Sequence, residues 1–525
     1  MPPIDFPLHL IVKLFTLMSM RRLLLVTGFI ILSYVLTLAS SFNPESAARV
    51  KALTLDGLER AYNFDFSAAN KLFNDAIGTA PLHPRPYVSK SFLALWQFLL
   101  SKNDSDLQTF LALTDRSVEV GERYLETYGE DAEALTCLGT AYGYRAFAYG
   151  RVKSYLKAAW DGKKSYDYLY DALKLDPHAY DAYLGIGMYH CLSSHLTKPL
   201  RWIVSILGIT GDGDLGMKEL RLAAERGTYT KIEAQYCLAQ FLPWQEGDFT
   251  TSEQMLNTLL SQYPDNSLLR FTVAVWEIRN NDVLAAKEHL SAVVHQQQTH
   301  LQGILPLAAY KLAECNFRLF RYDEARGLYQ KFLTDSQGET YRATSNYRIG
   351  LCFELTGHRY DALPFYKRAQ TLDHSFGDDA YSSRKAVHRL TSPLAAGDTL
   401  LISAQNALNS GAYDQSLSLY TELKSMPKLS HDVAVEAIFG TAETYFQKKL
   451  YNDALQEYQQ VIAAYPKEEI WLIPWSHYQS AICHLKFGQR EAARREFEKV
   501  QEYDDYDFKN WLFFRAEREL AKIKN

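Results

Sequence analysis

The sequence predicts an all-α chain, an α-solenoid of stacked helical hairpins with an irregular inserted middle. Three observations point there. A frame of small, large and small-to-medium residues recurs at helical spacing along the 525 residues. From Ser252 onward its small positions stand 34, 39, 37, 54, 38 and 39 residues apart, which is mostly the length of one helical hairpin. Between residues 138 and 230 the apolar period stays helical while that step is lost.

The frame is clearest at residues 63–81, NFDFSAANKLFNDAIGTAP. Ala69, Phe73 and Ala76 fall on one helix face, and Pro81 stops the helix. The frame returns as Ser252, Leu256, Leu259 and Pro264, then as Ala286, Leu290 and Val293. Further copies are Ala325, Tyr329 and Phe332; Ala362, Tyr366 and Ala369; and Ser416, Tyr420 and Leu423. The last are Ala454, Tyr458, Val461 and Pro466, and Ala493, Phe497 and Val500. Gly247, Gly357, Gly411 and Gly488 lie five residues before the small position, where a turn is expected. Partner helices carry Leu138-Gly139-x-x-Tyr142 and Ile349-Gly350-x-x-Phe353, with Ala313, Ala442 and Ala481 in the glycine's place. Antiparallel helices approach closely only where one side chain is small, and a large one from the second helix then fills the space beside the next unit. A single hairpin cannot bury that face; a stack can.

These residues resemble the tetratricopeptide repeat, and the resemblance implies a tetratricopeptide-type α-solenoid that binds protein or peptide partners. Three segments are expected. Residues 1–41 read as a signal peptide or N-terminal membrane anchor. Residues 46–390 form the solenoid, with insertions at 143–165 and 191–215. Residues 391–525 add C-terminal repeats and a capping helix. The step of 54 marks an irregular joint near residues 371–399. The capping helix is expected near Asp507–Ile523, with Trp511, Phe513 and Phe514 facing the preceding pair.

In the irregular middle, a unit ends as DALKLDP at Pro177 and a new first helix opens with Tyr183 and Gly187 in register. Gly185-Ile-Gly187, the apolar stretch Leu200–Leu207 and Gly211-Asp-Gly-Asp-Leu-Gly216 resemble the inclusion-body-clearance family of tetratricopeptide proteins over residues 47–260. That resemblance implies an adaptor linked to aggregate clearance and lipid handling, without catalysis.

The formal charge of −5 leaves no basic excess, so nucleic acid is not an expected partner. Arg21 and Arg22 precede the apolar run Leu23–Leu38, which ends at Ala39, Ser40 and Ser41. These are the parts of an export signal, and the same run would serve as a membrane anchor if uncleaved. Either way the bulk is expected outside the cytoplasm, in a periplasmic or membrane-anchored setting, with membrane association through residues 23–38 in the anchored case. Six cysteines in an exported chain invite disulfides. Their register argues otherwise. Cys315, Cys352 and Cys483 each follow the small position of a first helix by two residues. Equivalent positions on packed helices are about 10 Å apart, and a disulfide needs alpha carbons within about 7 Å. Buried thiols are expected there, and at Cys137, Cys191 and Cys237.

Several motifs tempt toward chemistry. Gly211, Gly213 and Gly216 spell G-x-G-x-x-G, but no strand pattern precedes them, as a dinucleotide site requires. A tight turn with Asp214 capping the next helix is the better reading. Asp212 and Asp214 lack the remaining ligands of a calcium loop. His190 with His195, and His295 with His300, are five apart rather than the four of a helical zinc pair. No catalytic residue, cofactor or metal is therefore assigned.

The fifth position of each first helix should point into the concave groove. Counting back from the small residues gives Phe271, Tyr310, Tyr347, Leu401, Phe439 and Tyr478. An aromatic row suits an extended peptide, because flat rings give large contact area at low entropy cost. The other reading packs these rings against the neighbouring helix. The expected function is a non-enzymatic interaction scaffold or adaptor in the cell envelope. The alternative is a small-molecule or lipid binder, or an enzyme, with a pocket beside residues 191–230.

Overall fold

The computed structural model describes residues 44–194, 211–296, 301–336, 338–372 and 377–524. Segment 1–41, the stretch Leu200–Leu207, His195 and His300 lie outside these residues. The described residues form 24 helices and no strand. Two compact units emerge, one from residues up to Leu99 with Asn103–Met255, the other from Leu100–Lys102 with Leu256 onward. The expected boundary at 390/391 lies inside the second unit.

The first unit contains α1 (Pro44–Tyr62), α2 (Phe66–Thr79), α3 (Pro84–Ser101), α4 (Asp104–Tyr128), α5 (Ala132–Arg151), α6 (Tyr155–Leu175), α7 (Ala182–Ser194), α8 (Gly213–Arg226) and α9 (Lys231–Gln245). The division falls within α10 (Phe249–Gln262). The second unit continues with α11 (Ser267–Arg279), α12 (Val283–Val294), α13 (Leu305–Arg318), α14 (Tyr322–Asp335), α15 (Arg342–Leu355), α16 (Arg359–Thr371), α17 (Gly377–Thr391) and α18 (Ala396–Asn409). It ends with α19 (Tyr413–Ser425), α20 (His431–Gln447), α21 (Tyr451–Ala464), α22 (Leu472–Lys486), α23 (Arg490–Val500) and α24 (Lys509–Lys524).

The recurring frame is the buried seam of these helices. Ala69, Phe73, Ala286, Leu290, Ala325, Tyr329, Ala362, Tyr366, Ala454, Tyr458, Ala493 and Phe497 are all fully buried. The close approach is literal: a Cβ on Gly350 would overlap the Tyr366 ring, and one on Gly440 would overlap the Tyr420 ring. The turn five residues before the small position adopts left-handed backbone in every copy. Glycine occupies it at 247, 357, 411 and 488, but Phe64, Asn281, Phe320 and Lys449 stand there in the other copies. The helix pair thus imposes the turn even where the side chain opposes it.

The middle obeys the same rule with other residues. Ser165, Leu169 and Ala172 on α6, followed by Pro177, repeat the frame, and so do Gly216, Leu220 and Ala223 on α8; all these helix residues are buried. Leu169 lies against both Gly139 and Gly185, and Gly187 meets Leu220 and the Gly216 carbonyl. Residues 143–165 are the end of α5 and the start of α6, two long helices that pair with each other. The glycines of the G-x-G-x-x-G string act in packing: Gly216 faces Cys191 and the Gly187 carbonyl.

Two local expectations are corrected. Asp212, not Asp214, caps α8: its carboxylate accepts the Leu215 N–H at 3.0 Å, because the helix begins at Gly213. In α24 the fully buried face is Leu512, Ala516 and Leu520; Trp511, though part-exposed, meets the preceding pair as expected, Phe513 is half-buried and Phe514 is exposed. Spacing explains it, since 512, 516 and 520 share a face and 511 and 514 point away from it. Trp511 lies on Trp475, ring centres 5.1 Å apart.

The six cysteines are free and, except for the partly buried Cys237, fully enclosed. Burial pushes the thiols of Cys137, Cys315, Cys352 and Cys483 up to about 12.

Candidate functional site

The second unit contains a groove of about 640 Å³ lined from α13, α15, α17, α18 and α20. It is built around the irregular step of the repeat. The long step adds one helix, α17, which packs on both α15 and α16. That helix brings Asp378, Tyr381, Arg384, Lys385 and His388 to the groove wall. Its Asp379 is buried and fixes the entry of α15, accepting the Thr344 N–H and the Tyr341 N–H at 2.7 Å each.

The expected groove residues separate into three groups. Tyr310 and Tyr347 line the groove, yet only 4% and 7% of their surface is exposed. Tyr310 stacks on Tyr341 with ring centres 4.3 Å apart and meets Phe332 at 5.3 Å. Leu401 also lines it. Phe439 lines a smaller neighbouring cavity of about 230 Å³ with Tyr420 and Trp471. Phe271 packs into the core of the α11–α12 hairpin, and Tyr478 is buried beneath Phe497 and the guanidinium of Arg515. Position five is therefore largely a packing position, with two tyrosines that serve the groove as well.

Charge dominates the rest of the wall. Arg384 grips Glu469 with two nitrogens at 2.9 and 3.0 Å and reaches Asp507 at 2.7 Å. Lys385 lies 2.9 Å from Glu469 and 3.5 Å from Glu436. Burial works against the charge on Glu469, but the hydrogen bonds and charges of Arg384 and Lys385 win and bring its carboxyl down to about 2. Asp432 holds the loop that presents Glu469, accepting the Lys467 and Glu468 N–H groups at 2.8 and 3.1 Å. Arg389 pairs with Asp398 at 2.8 Å.

Glu314 is held from behind by the Tyr329 hydroxyl and from the side by Arg348 at 3.3 Å. Burial opposes its charge, and Arg348 and Arg318 keep its carboxyl below the usual value. Two part-buried charged groups on this wall make no hydrogen bond or ion pair among the described residues, and neither do the side chains of the exposed His388 and Glu468. Lys311 sits 5.3 and 5.2 Å from the ring centres of Tyr310 and Tyr341. Burial pushes its ammonium below the usual lysine value. Asp378 is the other, and burial raises its carboxyl. The groove thus offers flat aromatic edges, the part-buried Lys311 and Asp378 and the exposed Glu468 without fixed partners, and a belt of satisfied ion pairs around them.

The charged wall was not among the expected site residues. Its one sequence signal was the step of 54 residues, since the extra chain is the helix that carries it. No group of three His, Cys, Asp or Glu among the described residues could hold a metal ion. In the first unit His190 Nδ1 lies 2.6 Å from a buried Glu219 oxygen, under Tyr166 and Tyr189. Beside residues 191–230, where the alternative reading puts a pocket, Gly211 packs on the backbone of Ser193 and Ser194, and residues 195–210 lie outside the described residues.

Comparison with known proteins agrees with the hairpin register. Tetratricopeptide-repeat family models match residues 277–340 and 436–468. Both segments lie outside residues 47–260, where the resemblance to the inclusion-body-clearance family lies. Among solved structures, the chain is similar to a tetratricopeptide repeat protein from Parabacteroides merdae at 15% identity, over 56% of this chain and 99% of that one, TM-score 0.24. It is similar to a Rap protein complexed with competence and sporulation factor at 15% identity, over 72% and 96% of the two chains, TM-score 0.36. It is also similar to yeast Tom70 at 13% identity, over 90% and 96%, TM-score 0.24. With close-packed small residues recurring in step and the repeat models matched on two of its hairpin segments, this chain is a tetratricopeptide-repeat protein.

Proposed function

We propose that the chain is a non-enzymatic interaction scaffold that holds an extended peptide segment of a protein partner in the groove of its second unit. The observation that carries this is the part-buried pair on the groove wall, Lys311 beside the stacked rings of Tyr310 and Tyr341, and Asp378, in a site where Arg384, Lys385, Arg389, Glu436 and Glu469 are already paired. A peptide strand has both a flat amide face and side chains of either sign, so it can meet all three features at once. The export signature at Arg21–Ser41 supports a setting outside the cytoplasm, in the cell envelope.

Tyr310 and Tyr347 make poor probes, because each is packed against other rings and its loss would loosen the core. Lys311 and His388 are better. A photo-cross-linking amino acid at His388, which is exposed on the groove wall, should trap a partner protein in the native host's envelope fraction. Adding Lys311→Glu should reduce the trapped adduct about tenfold or more, the scale of reversing one partly desolvated charge contact. An adduct unaffected by Lys311→Glu, or none from position 388, would refute the groove as the binding site. Fractionation of the host, with the chain found only in the cytoplasm, would refute the envelope setting.

A further inference from the structure

We propose that the turn end of the α5–α6 hairpin is an interfacial docking site for an anionic lipid bilayer. This end of the first unit breaks the usual rule that large apolar side chains go inside. Leu156 is 72% exposed and Trp160 60%, one helical turn apart on the same face of α6. Tyr155 beside them, Val152 in the turn and Phe147 on the last turns of α5 are exposed as well. Scattered exposed residues of this kind need no explanation, but five on one hairpin end mark a contact surface.

The charges in the same stretch say what kind. From Phe147 to Trp160 the sequence has three cations, Arg151, Lys153 and Lys157, and no acid. None of the three makes an ion pair among the described residues, and all are exposed. The Lys157 ammonium lies over the Tyr149 ring, 5.3 Å from its centre, and the residue is exposed, so its charge is available at the surface. The one acid just beyond, Asp161, is buried and spent on Arg145, with oxygens 2.6 and 3.0 Å from the guanidinium.

Tryptophan and tyrosine favour the boundary between headgroups and acyl chains, and lysine and arginine add attraction to anionic headgroups. A protein partner would be expected to present a matched surface of acids. A bilayer needs no such match, and the mixed Trp, Tyr, Leu and basic composition is the one that suits it. The hairpin end is also held in shape, with Ser154 N–H donating to the Tyr149 carbonyl at 2.8 Å, so presenting these side chains requires no folding on contact. No described helix is long and apolar enough to cross a membrane, so this is contact with the surface and not a span.

The test uses the full chain carrying Leu156→Cys labelled with an environment-sensitive fluorophore. Tyr360→Cys, also highly exposed but on another unit, serves as control. Unilamellar vesicles of phosphatidylglycerol and phosphatidylcholine should shift the emission at 156 to the blue and leave 360 unchanged. Pure phosphatidylcholine should give a much weaker shift. Adding Lys153→Glu and Lys157→Glu should raise the lipid concentration for half-maximal shift about tenfold or more. Because the label reports its own surroundings, attachment through residues 23–38 alone would carry the chain to vesicles without moving the signal at 156. That outcome would overturn the proposal. So would a shift at 156 that grows with protein concentration without lipid, which would assign the surface to a second copy of the chain.

Discussion

The hairpins α5–α6 and α15–α16 meet the same packing requirement with different side chains. In the first, Leu169 fills the space over Gly139; in the second, Tyr366 fills the space over Gly350. The leucine brings no polar atom. The tyrosine brings a hydroxyl that donates to Glu354 at 2.7 Å, and Glu354 in turn accepts the Leu394 N–H at 2.8 Å. The pairing recurs in the second unit: Tyr329 donates to Glu314 and Tyr458 to Glu443, at 2.6 Å for the latter. Both glutamates directly follow the small alanine of the first helix, Ala313 and Ala442. Where the filler has no hydroxyl, as Phe497, the residue after the alanine is Ile482. Three of the four seam tyrosines, Tyr329, Tyr366 and Tyr458, thus hold a glutamate, while at Tyr420 the residue after Ala404 is Gln405; one of these carboxylates, Glu314, is part of the groove wall. The ring that packs the repeat also fixes a charge on the groove wall.

The largest way to break this contrast is to delete the filler itself. Tyr366→Ala should destabilise the chain by about 3–5 kcal/mol and Leu169→Ala by about 2–5 kcal/mol, read from denaturant midpoints. A Tyr366→Ala loss no larger than the leucine's would mean that the Glu354 link adds nothing. Next comes removal of the hydroxyl alone. Tyr329→Phe should cost about 1–3 kcal/mol, since it leaves a buried glutamate short of a donor. A variant as stable as the parent would show that Arg348 satisfies Glu314 unaided.

Two buried carboxylates, one in each unit, respond to pH in opposite senses. Glu233 in the first unit has no cation beside it, only the Tyr144 hydroxyl at 2.8 Å, and burial raises it to about 7. Its contribution is fully present below the ordinary glutamate value and is lost as pH rises through about 7. Glu469 in the second unit is the reverse: its contribution is present above the ordinary value and is lost as pH falls toward about 2. Hydrogen exchange should show α9 loosening between pH 5 and 8, by about 1–2 kcal/mol given residual contact with water, while α17 holds. Glu233→Gln should flatten that profile, and an unchanged slope would reject the assignment. The smallest effect concerns the turns. Lys449→Gly should stabilise its hairpin by about 0.5–1 kcal/mol, by relieving the left-handed backbone that Gly411 accommodates freely in its own hairpin.

The seam was legible because packing leaves a periodic trace: a residue that must be small and one that must be large are tied three or four apart. The same logic extends to Ser165, Leu169 and Ala172, but there the helices are longer, so a fixed step misses a copy whose spacing within the helix is intact. The turns were half legible, since glycine announces left-handed backbone and Phe64 or Lys449 does not. The groove was least legible. Its charges come from helices far apart in sequence, as Lys385 on α17 meeting Glu469 after α21 illustrates, and no local pattern encodes that meeting. Only Tyr310, Tyr347 and Leu401 could be counted out from the register, and all three are packed into the core as well as lining the wall.

The thiols at 315, 352 and 483 occupy one register position in three hairpins of the second unit, and all three are sealed. Each can react with an alkylating agent only when its own hairpin opens, and their intrinsic reactivities start out alike. Mass-resolved labelling over time would thus yield three opening rates from one sample. The array carries its own gauge of where it frays first and whether an occupied groove quiets the repeats on either side.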